Sequence, residues 1–171
     1  MSPRRPARLL FAALLAMATP ALADDPPTIE HQPIPCTIPG KPISICASIS
    51  DDSTIKRASV YFRATDERYY SLVEMAFGGL TYCATLPAPR EGKLQSLDYY
   101  VKATDDQYQD QRTSTYQMLV QAEGVCEFPP IEKDAERAAA IRVLATNAKQ
   151  GRKLPDEFDA TGVTFVPARG S

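Results

Sequence analysis

The chain has 171 residues, 44% of them apolar and 23% charged, which is enough for one core and too little charge for a disordered polyelectrolyte. Its formal charge is −2, and no run of Lys and Arg gathers the positive charge that nucleic acid or an anionic membrane surface demands. With one histidine, four cysteines and no tryptophan, chemistry built on several histidines is short of parts.

Residues 1–23 read as a cleavable signal peptide. Arg4, Arg5 and Arg8 form a positive start, Leu9 to Met17 an apolar run of about nine residues, and Ala21-Leu22-Ala23 a small-residue cleavage site. That run is too short to cross about 30 Å of hydrocarbon, and nothing later is long and apolar enough. Without the three arginines, 16 Lys+Arg face 21 Asp+Glu, which leaves −5 for residues 24–171. The expected product is soluble and exported, periplasmic or secreted, with no membrane insertion after cleavage. In such a compartment Cys36, Cys46, Cys83 and Cys126 suggest two disulfides, since their spacing makes no CxxC pair and no close pair of zinc ligands.

From residue 24 the chain alternates with period two between turn signals. Residues 24–33 read as a linker and the start of an edge strand, because Ile29 to Ile38 is extended but interrupted by Pro33 and Pro35. Ile43, Ile45, Ala47 and Ile49 then alternate with polar residues, as do Val60 and Phe62. Tyr69 to Phe77 follows, stopped by Gly78-Gly79. Leu80 to Leu86, Leu97 to Ala103 and Tyr116 to Ala122 complete the series. Turns rather than helices join these seven short strands, so residues 34–124 are expected to form an antiparallel two-sheet sandwich.

Residues 29–124 resemble a bacterial immunoglobulin-like or fibronectin type III-like domain. The resemblance is carried by Pro42-Ile-Ser-Ile-Cys-Ala-Ser-Ile49, Ala58-Ser-Val-Tyr-Phe-Arg63, Tyr82-Cys-Ala-Thr-Leu-Pro87 and Leu97-Asp-Tyr-Tyr-Val-Lys-Ala-Thr-Asp105. It implies a seven-stranded sandwich, whose strands A to G would be the seven runs above in chain order, with F at Leu97 to Ala103. The chain departs from the pattern in lacking a core tryptophan, in having no cysteine on the strand matching F, and in placing Leu97 at the position such domains commonly give to tyrosine. The strand assignment it implies puts Cys46 on B and Cys83 on E, neighbours whose side chains point away from the core. Cys36 would lie near the end of A, and Cys126 just beyond G. That favours Cys46–Cys83 with Cys36–Cys126, while Cys36–Cys46 with Cys83–Cys126 stays open through the Pro39-Gly40 turn.

Residues 125–171 read as a C-terminal tail. Helical spacing predicts a helix over about 131–150, opened by Pro129-Pro130 and ended by Gly151, with Ala138, Ile141, Leu144, Ala145 and Ala148 on one face. That face would dock on the sandwich, in a partner's groove or on a second copy, and residues 151–171 read as a loose end in which Val163 to Val166 could add a small strand between Pro155 and Pro167.

Two candidate sites follow. Asp51-Asp52 and Asp105-Asp106 fall in loops that the resemblance places at one end of the sandwich, where they could bind calcium, the one cofactor considered; the simpler reading is that they initiate turns. Tyr61, Arg63, Tyr100 and Lys102 should project together from the C and F strands, a composition suited to protein recognition or to stacking on sugar rings, or simply to cross-strand stabilisation of the sheet. His31 stands alone in the edge segment, and no Gly-x-Ser-x-Gly, phosphate loop or His-Glu-x-x-His motif occurs. The expectation is a non-catalytic exported interaction or scaffolding module with a protein partner. A carbohydrate-binding or adhesion domain with a glycan partner is the alternative, and an enzyme accessory domain comes third.

Overall fold

The computed structural model describes residues 25–126 and 140–169. The signal-peptide reading and residues 131–139 of the expected helix, Ala138 included, lie outside them. The strands in chain order are β1 (Thr28–Glu30), β2 (Cys36–Thr37), β3 (Ile43–Ser50), β4 (Ile55–Ala64), β5 (Ser71–Glu74), β6 (Ala76–Phe77), β7 (Tyr82–Leu86), β8 (Ser96–Asp105), β9 (Asp110–Arg112), β10 (Tyr116–Val120), β11 (Ile141–Ala145) and β12 (Val163–Val166).

They form two sheets. The small one has the order β1-β3-β7-β6; the large one runs β12-β11-β5-β4-β8-β10-β2, with β9 pairing the second half of β8. The proline-punctuated segment lies on edges of both sheets: β1 flanks β3, and β2 flanks β10. Proline's missing N–H is harmless there, because an edge has one side with no ladder to break. The strand run ending at Phe77 likewise changes sheet, at Met75, between β5 and β6.

Alternation decides the core. Ile43, Ile45 and Ala47 of β3 and Ala84 and Leu86 of β7 face Val60 and Phe62 of β4, Leu97, Tyr99 and Val101 of β8, and Met118 of β10. The intervening residues of each strand face outward, as the period-two pattern dictates.

The C-terminal expectation is overturned. Ile141, Leu144 and Ala145 do not lie on a helix; they belong to β11, which pairs antiparallel with β5 and parallel with β12. Ala148 starts a single 3-10 turn, Ala148–Gln150, capped by the Asn147 side chain. Among the described residues there is no longer helix, so over 140–169 the helical appendage of the predicted fold class is absent. The sheets are also not purely antiparallel, because β2 runs parallel to β10 as β12 does to β11. The physical reason is that Ile141-Arg-Val-Leu-Ala145 satisfies both periods. Read by twos, Ile141, Val143 and Ala145 share a face, and β-branched Ile and Val favour the strand. Val143 is fully buried.

Nor do residues beyond 150 hang loose. Leu154 and Phe158 are buried, and the Phe158 ring meets Phe62 edge to face at 5.2 Å. The backbone there is tied to the 88–90 loop, with Asp159 N–H donating to Ala88 O and Arg90 N–H to Glu157 O, both at 2.8 Å.

Two disulfides hold the ends. Cys46 and Cys83 sit directly opposite each other on β3 and β7, with Cα atoms 4.2 Å apart, and join these strands on the outer side of the small sheet. Cys36 and Cys126, 5.8 Å apart at Cα, pin β2 to the chain just beyond β10. Disulfides persist in oxidising compartments, so this pair of bridges fits a protein exported from the cytoplasm. No described helix is long and apolar enough to cross a membrane.

Candidate functional site: the outer face of the large sheet

The β4–β8 pairing sets Tyr61 opposite Tyr100, Arg63 opposite Asp98 and Ser59 opposite Lys102. Their neighbours in register, such as Val60 and Phe62, are fully buried, so these residues form the outer face. The four residues expected to share a face, Tyr61, Arg63, Tyr100 and Lys102, are therefore brought together.

The pairing also extends that face beyond them. Leu72 lies opposite Tyr61, Leu144 opposite Leu72, and Val166 beside Leu144. One row thus runs Val166–Leu144–Leu72–Tyr61–Tyr100 across five strands, every member partly buried. At about 4.8 Å per strand it is about 19 Å long. Leu144, assigned by helical spacing to a tail helix, instead widens this apolar band.

The tyrosines pack on one another. Tyr61 and Tyr100 stack at 4.8 Å with planes 5° apart, and Tyr70 meets Tyr100 edge to face at 5.1 Å. The guanidinium of Arg112, opposite Lys102 on β9, lies 5.0 Å from the Tyr100 ring centre, and that of Arg63 lies 4.6 Å from Tyr70. Burial and the neighbouring Tyr61 push the Tyr100 hydroxyl above the usual phenol range, against the pull of Arg112. Tyr100 is flanked by Tyr61 and Arg112.

The two polar rows beside the band differ. Above it, Arg63 donates to Asp98 Oδ2 at 3.0 and 3.3 Å and to the Glu67 carbonyl at 3.0 Å, while Thr65 donates to Asp98 Oδ1 at 3.2 Å. Every charge in that row is satisfied internally. Below it, Lys102 pairs with Asp110 at 2.8 Å and Thr104 donates to the same carboxylate at 2.6 Å; these contacts hold the Asp110 carboxyl below its ordinary range. Arg57, Arg112 and Arg142 in or beside this row are exposed and make no ion pair with a described carboxylate. Sequence reasoning picked out Arg63 and Lys102, which are spoken for, and missed Tyr70, Leu72, Arg112 and Arg142. The Tyr61–Leu72 register across the β4–β5 connection was the signal for Leu72.

The acidic loops do turn work. Asp51 accepts from the Asp52 N–H at 3.0 Å and the Ser53 hydroxyl at 2.9 Å. Asp105 is fully buried and accepts the Gln109 N–H at 2.7 Å, closing the β8–β9 turn in which Tyr108 takes a φ of 66°. Asp106 is exposed. Ile55 pairs with Asp105, so the two loops do share one end, but among the described residues no three His, Cys, Asp or Glu side chains converge to hold a metal ion.

His31 is packed rather than solvated. Its Nδ1 faces the Cys46 carbonyl at 2.8 Å and its Nε2 the Tyr99 hydroxyl at 3.0 Å. A shallow cavity of about 250 Å³ lies where β5, β7 and β11 approach, lined mainly by Val73, Ala84, Ile141 and Leu144, with Glu74 and Arg142 as its charged groups.

No protein-family model matches the chain, and no curated protein matches it. Among solved structures it is similar to an engineered protein, at 13% identity and a TM-score of 0.43 over 58% of this chain and 21% of that one. It is also similar to a variant of the SrpA adhesin of Streptococcus sanguinis, at 16% identity and a TM-score of 0.39 over 57% of this chain and 58% of the adhesin's. The chain thus spans about a fifth of the first structure and under two thirds of the second. At TM-scores below 0.5 neither likeness bears on function.

Proposed function

We propose that this chain is an exported, non-catalytic interaction module built on an immunoglobulin-like sandwich, and that it binds a protein partner through the outer face of its large sheet. The observation that carries this reading is the apolar row Val166–Leu144–Leu72–Tyr61–Tyr100, which crosses five strands on the outer face of the large sheet. Aromatic and aliphatic anchors with a charged rim are the composition of a protein–protein contact. A glycan would need a bare aromatic face to stack on, and Tyr100 is flanked by Tyr61 and Arg112. The strand exchange between sheets, with β3 beside β7 and β2 parallel to β10, supports the immunoglobulin-like assignment. Two disulfides support export, to the periplasm or beyond.

The test is affinity capture from an extract of the producing cell's envelope and medium, with the native chain and the Leu72→Glu/Leu144→Glu variant, run beside a glycan array. A protein retained by the native chain and lost by the variant supports the reading. Glycan binding that needs Tyr61 and Tyr100, with no protein lost by the variant, overturns it.

A further inference from the structure

The outer face is charged against the rest of the molecule. Its strand residues include five cations, Arg57, Arg63, Lys102, Arg112 and Arg142, and three carboxylates, Glu74, Asp98 and Asp110, in a chain whose formal charge is −2. Internal ion pairs consume Arg63 with Asp98 and Lys102 with Asp110. Among the described residues Arg57, Arg112 and Arg142 are left against Glu74, and register places all of them on one side of the apolar row. The other side, with Arg63, Thr65 and Asp98, is closed on itself. The face is therefore an apolar band with one cationic bank and one neutral bank.

We propose, resting on the interaction reading above, that the partner of this face is an acidic amphipathic protein segment: apolar side chains along the band and carboxylates along the Arg112–Arg142 bank. Two features set its form. The band is about 19 Å long, the length of a helix of about 13 residues. The cations are mostly arginines, whose planar guanidinium takes a carboxylate through two parallel hydrogen bonds, and Arg112 is already held in place on Tyr100. A carboxylate brought there meets a positioned donor beside an apolar wall, where water screens the pair less than on an open surface. The strand residues of the closed bank offer no comparable donor, so the polarity of the face fixes which way round the segment lies.

The test uses the full mature chain, isotopically labelled, and synthetic helical peptides of 14 residues sharing one leucine stripe and differing in the flank, which carries Glu, Gln or Lys. A polyglutamate peptide of equal length lacks the stripe. Amide shifts should move at Tyr61, Leu72, Tyr100 and Leu144. The Glu-flanked peptide should bind at least about tenfold more tightly than the Lys-flanked one at low salt, with the gap closing as salt screens the charges. In the Arg112→Glu/Arg142→Glu variant, whose unshifted core amides report its folding, the preference should invert. Binding at this face with equal affinity for Glu and Lys flanks, or with equal affinity for polyglutamate, overturns the inference and leaves the interaction reading standing. Shifts confined to the small sheet, or no shift with any peptide, overturn both.

Discussion

The Tyr99 hydroxyl, on β8 of the large sheet, lies 3.0 Å from Nε2 of His31, whose Nδ1 is 2.8 Å from the Cys46 carbonyl of the small sheet. A carbonyl only accepts, so Nδ1 carries the proton and Nε2 accepts from Tyr99. The Tyr99 oxygen meanwhile accepts the Ile34 N–H at 2.8 Å. One relay, Ile34 N–H to Tyr99 to His31 to Cys46, thus stitches the edge segment to both sheets.

The relay makes stability depend on pH in a stated direction. Burial lowers the His31 pKa from 6.5, outweighing the hydrogen bond to Cys46, and a proton on Nε2 would leave the Tyr99 hydroxyl hydrogen without an acceptor. The folded state therefore binds a proton less readily than the unfolded chain. Stability is full above pH 6.5 and falls as pH drops through 6.5 towards the lower folded value. His31 is the chain's single histidine, so melting curves from pH 7.5 down to 5.5, on protein without a histidine tag, should show this slope in the native chain. His31→Phe should be less stable at pH 7.5 and lack that slope.

Tyr99→Phe keeps the ring and deletes the hydroxyl. It leaves the Ile34 N–H and His31 Nε2 without their partner, and urea unfolding should show a loss of about 1–3 kcal/mol. The Tyr99 hydroxyl, raised to about 12 chiefly by burial, should not titrate in the native chain below the pH at which it unfolds.

Phe158→Ala should lower stability by about 3–5 kcal/mol, because the ring is 1% exposed and packs on Phe62. A chain ending after Cys126 should expose the cleft that Val143, Leu154 and Phe158 fill, and should bind a hydrophobic dye. A truncated chain as stable as the full one would contradict the burial of all three.

Much of this fold was legible because its strands carry one apolar face each. Ile43-x-Ile45-x-Ala47, Val60-x-Phe62 and Leu97-x-Tyr99-x-Val101 show period two without ambiguity, and the same parity turns Cys46 and Cys83 outward; the β3–β7 register, which parity leaves open, sets them opposite each other. Strand β11 was not legible. Ile141, Leu144 and Ala145 also satisfy helical spacing, the preceding alanines favour a helix, and Gly151 imitates a helix stop. Tertiary pairing with β5 decided between the two, and local sequence does not report it. Phe158 was invisible for a related reason: a lone aromatic between charged residues has no period, so only the fold shows it as core. On the candidate face, strand parity was enough to group Tyr61, Arg63, Tyr100 and Lys102. Leu72, Arg112 and Arg142 join them through the pairing of β5, β9 and β11, which parity within one strand does not supply.

The stacked pair should also be measurable by itself. A double-mutant cycle on Tyr61→Ala and Tyr100→Ala should give a coupling of about 0.5–1.5 kcal/mol in stability, the range for an aromatic pair at 4.8 Å. A coupling near zero would mean that the rings touch without stabilising the sheet.

The central claim is that the outer face of the large sheet is the one that meets a partner. The direct measurement places a photo-crosslinking amino acid at Leu72, at Arg142 or, as the opposite face, at Ser48 of β3, and irradiates the intact producing cell. A discrete protein adduct is expected from Leu72 and Arg142 and none from Ser48. Adducts from Ser48 with none from Leu72 or Arg142 would contradict it.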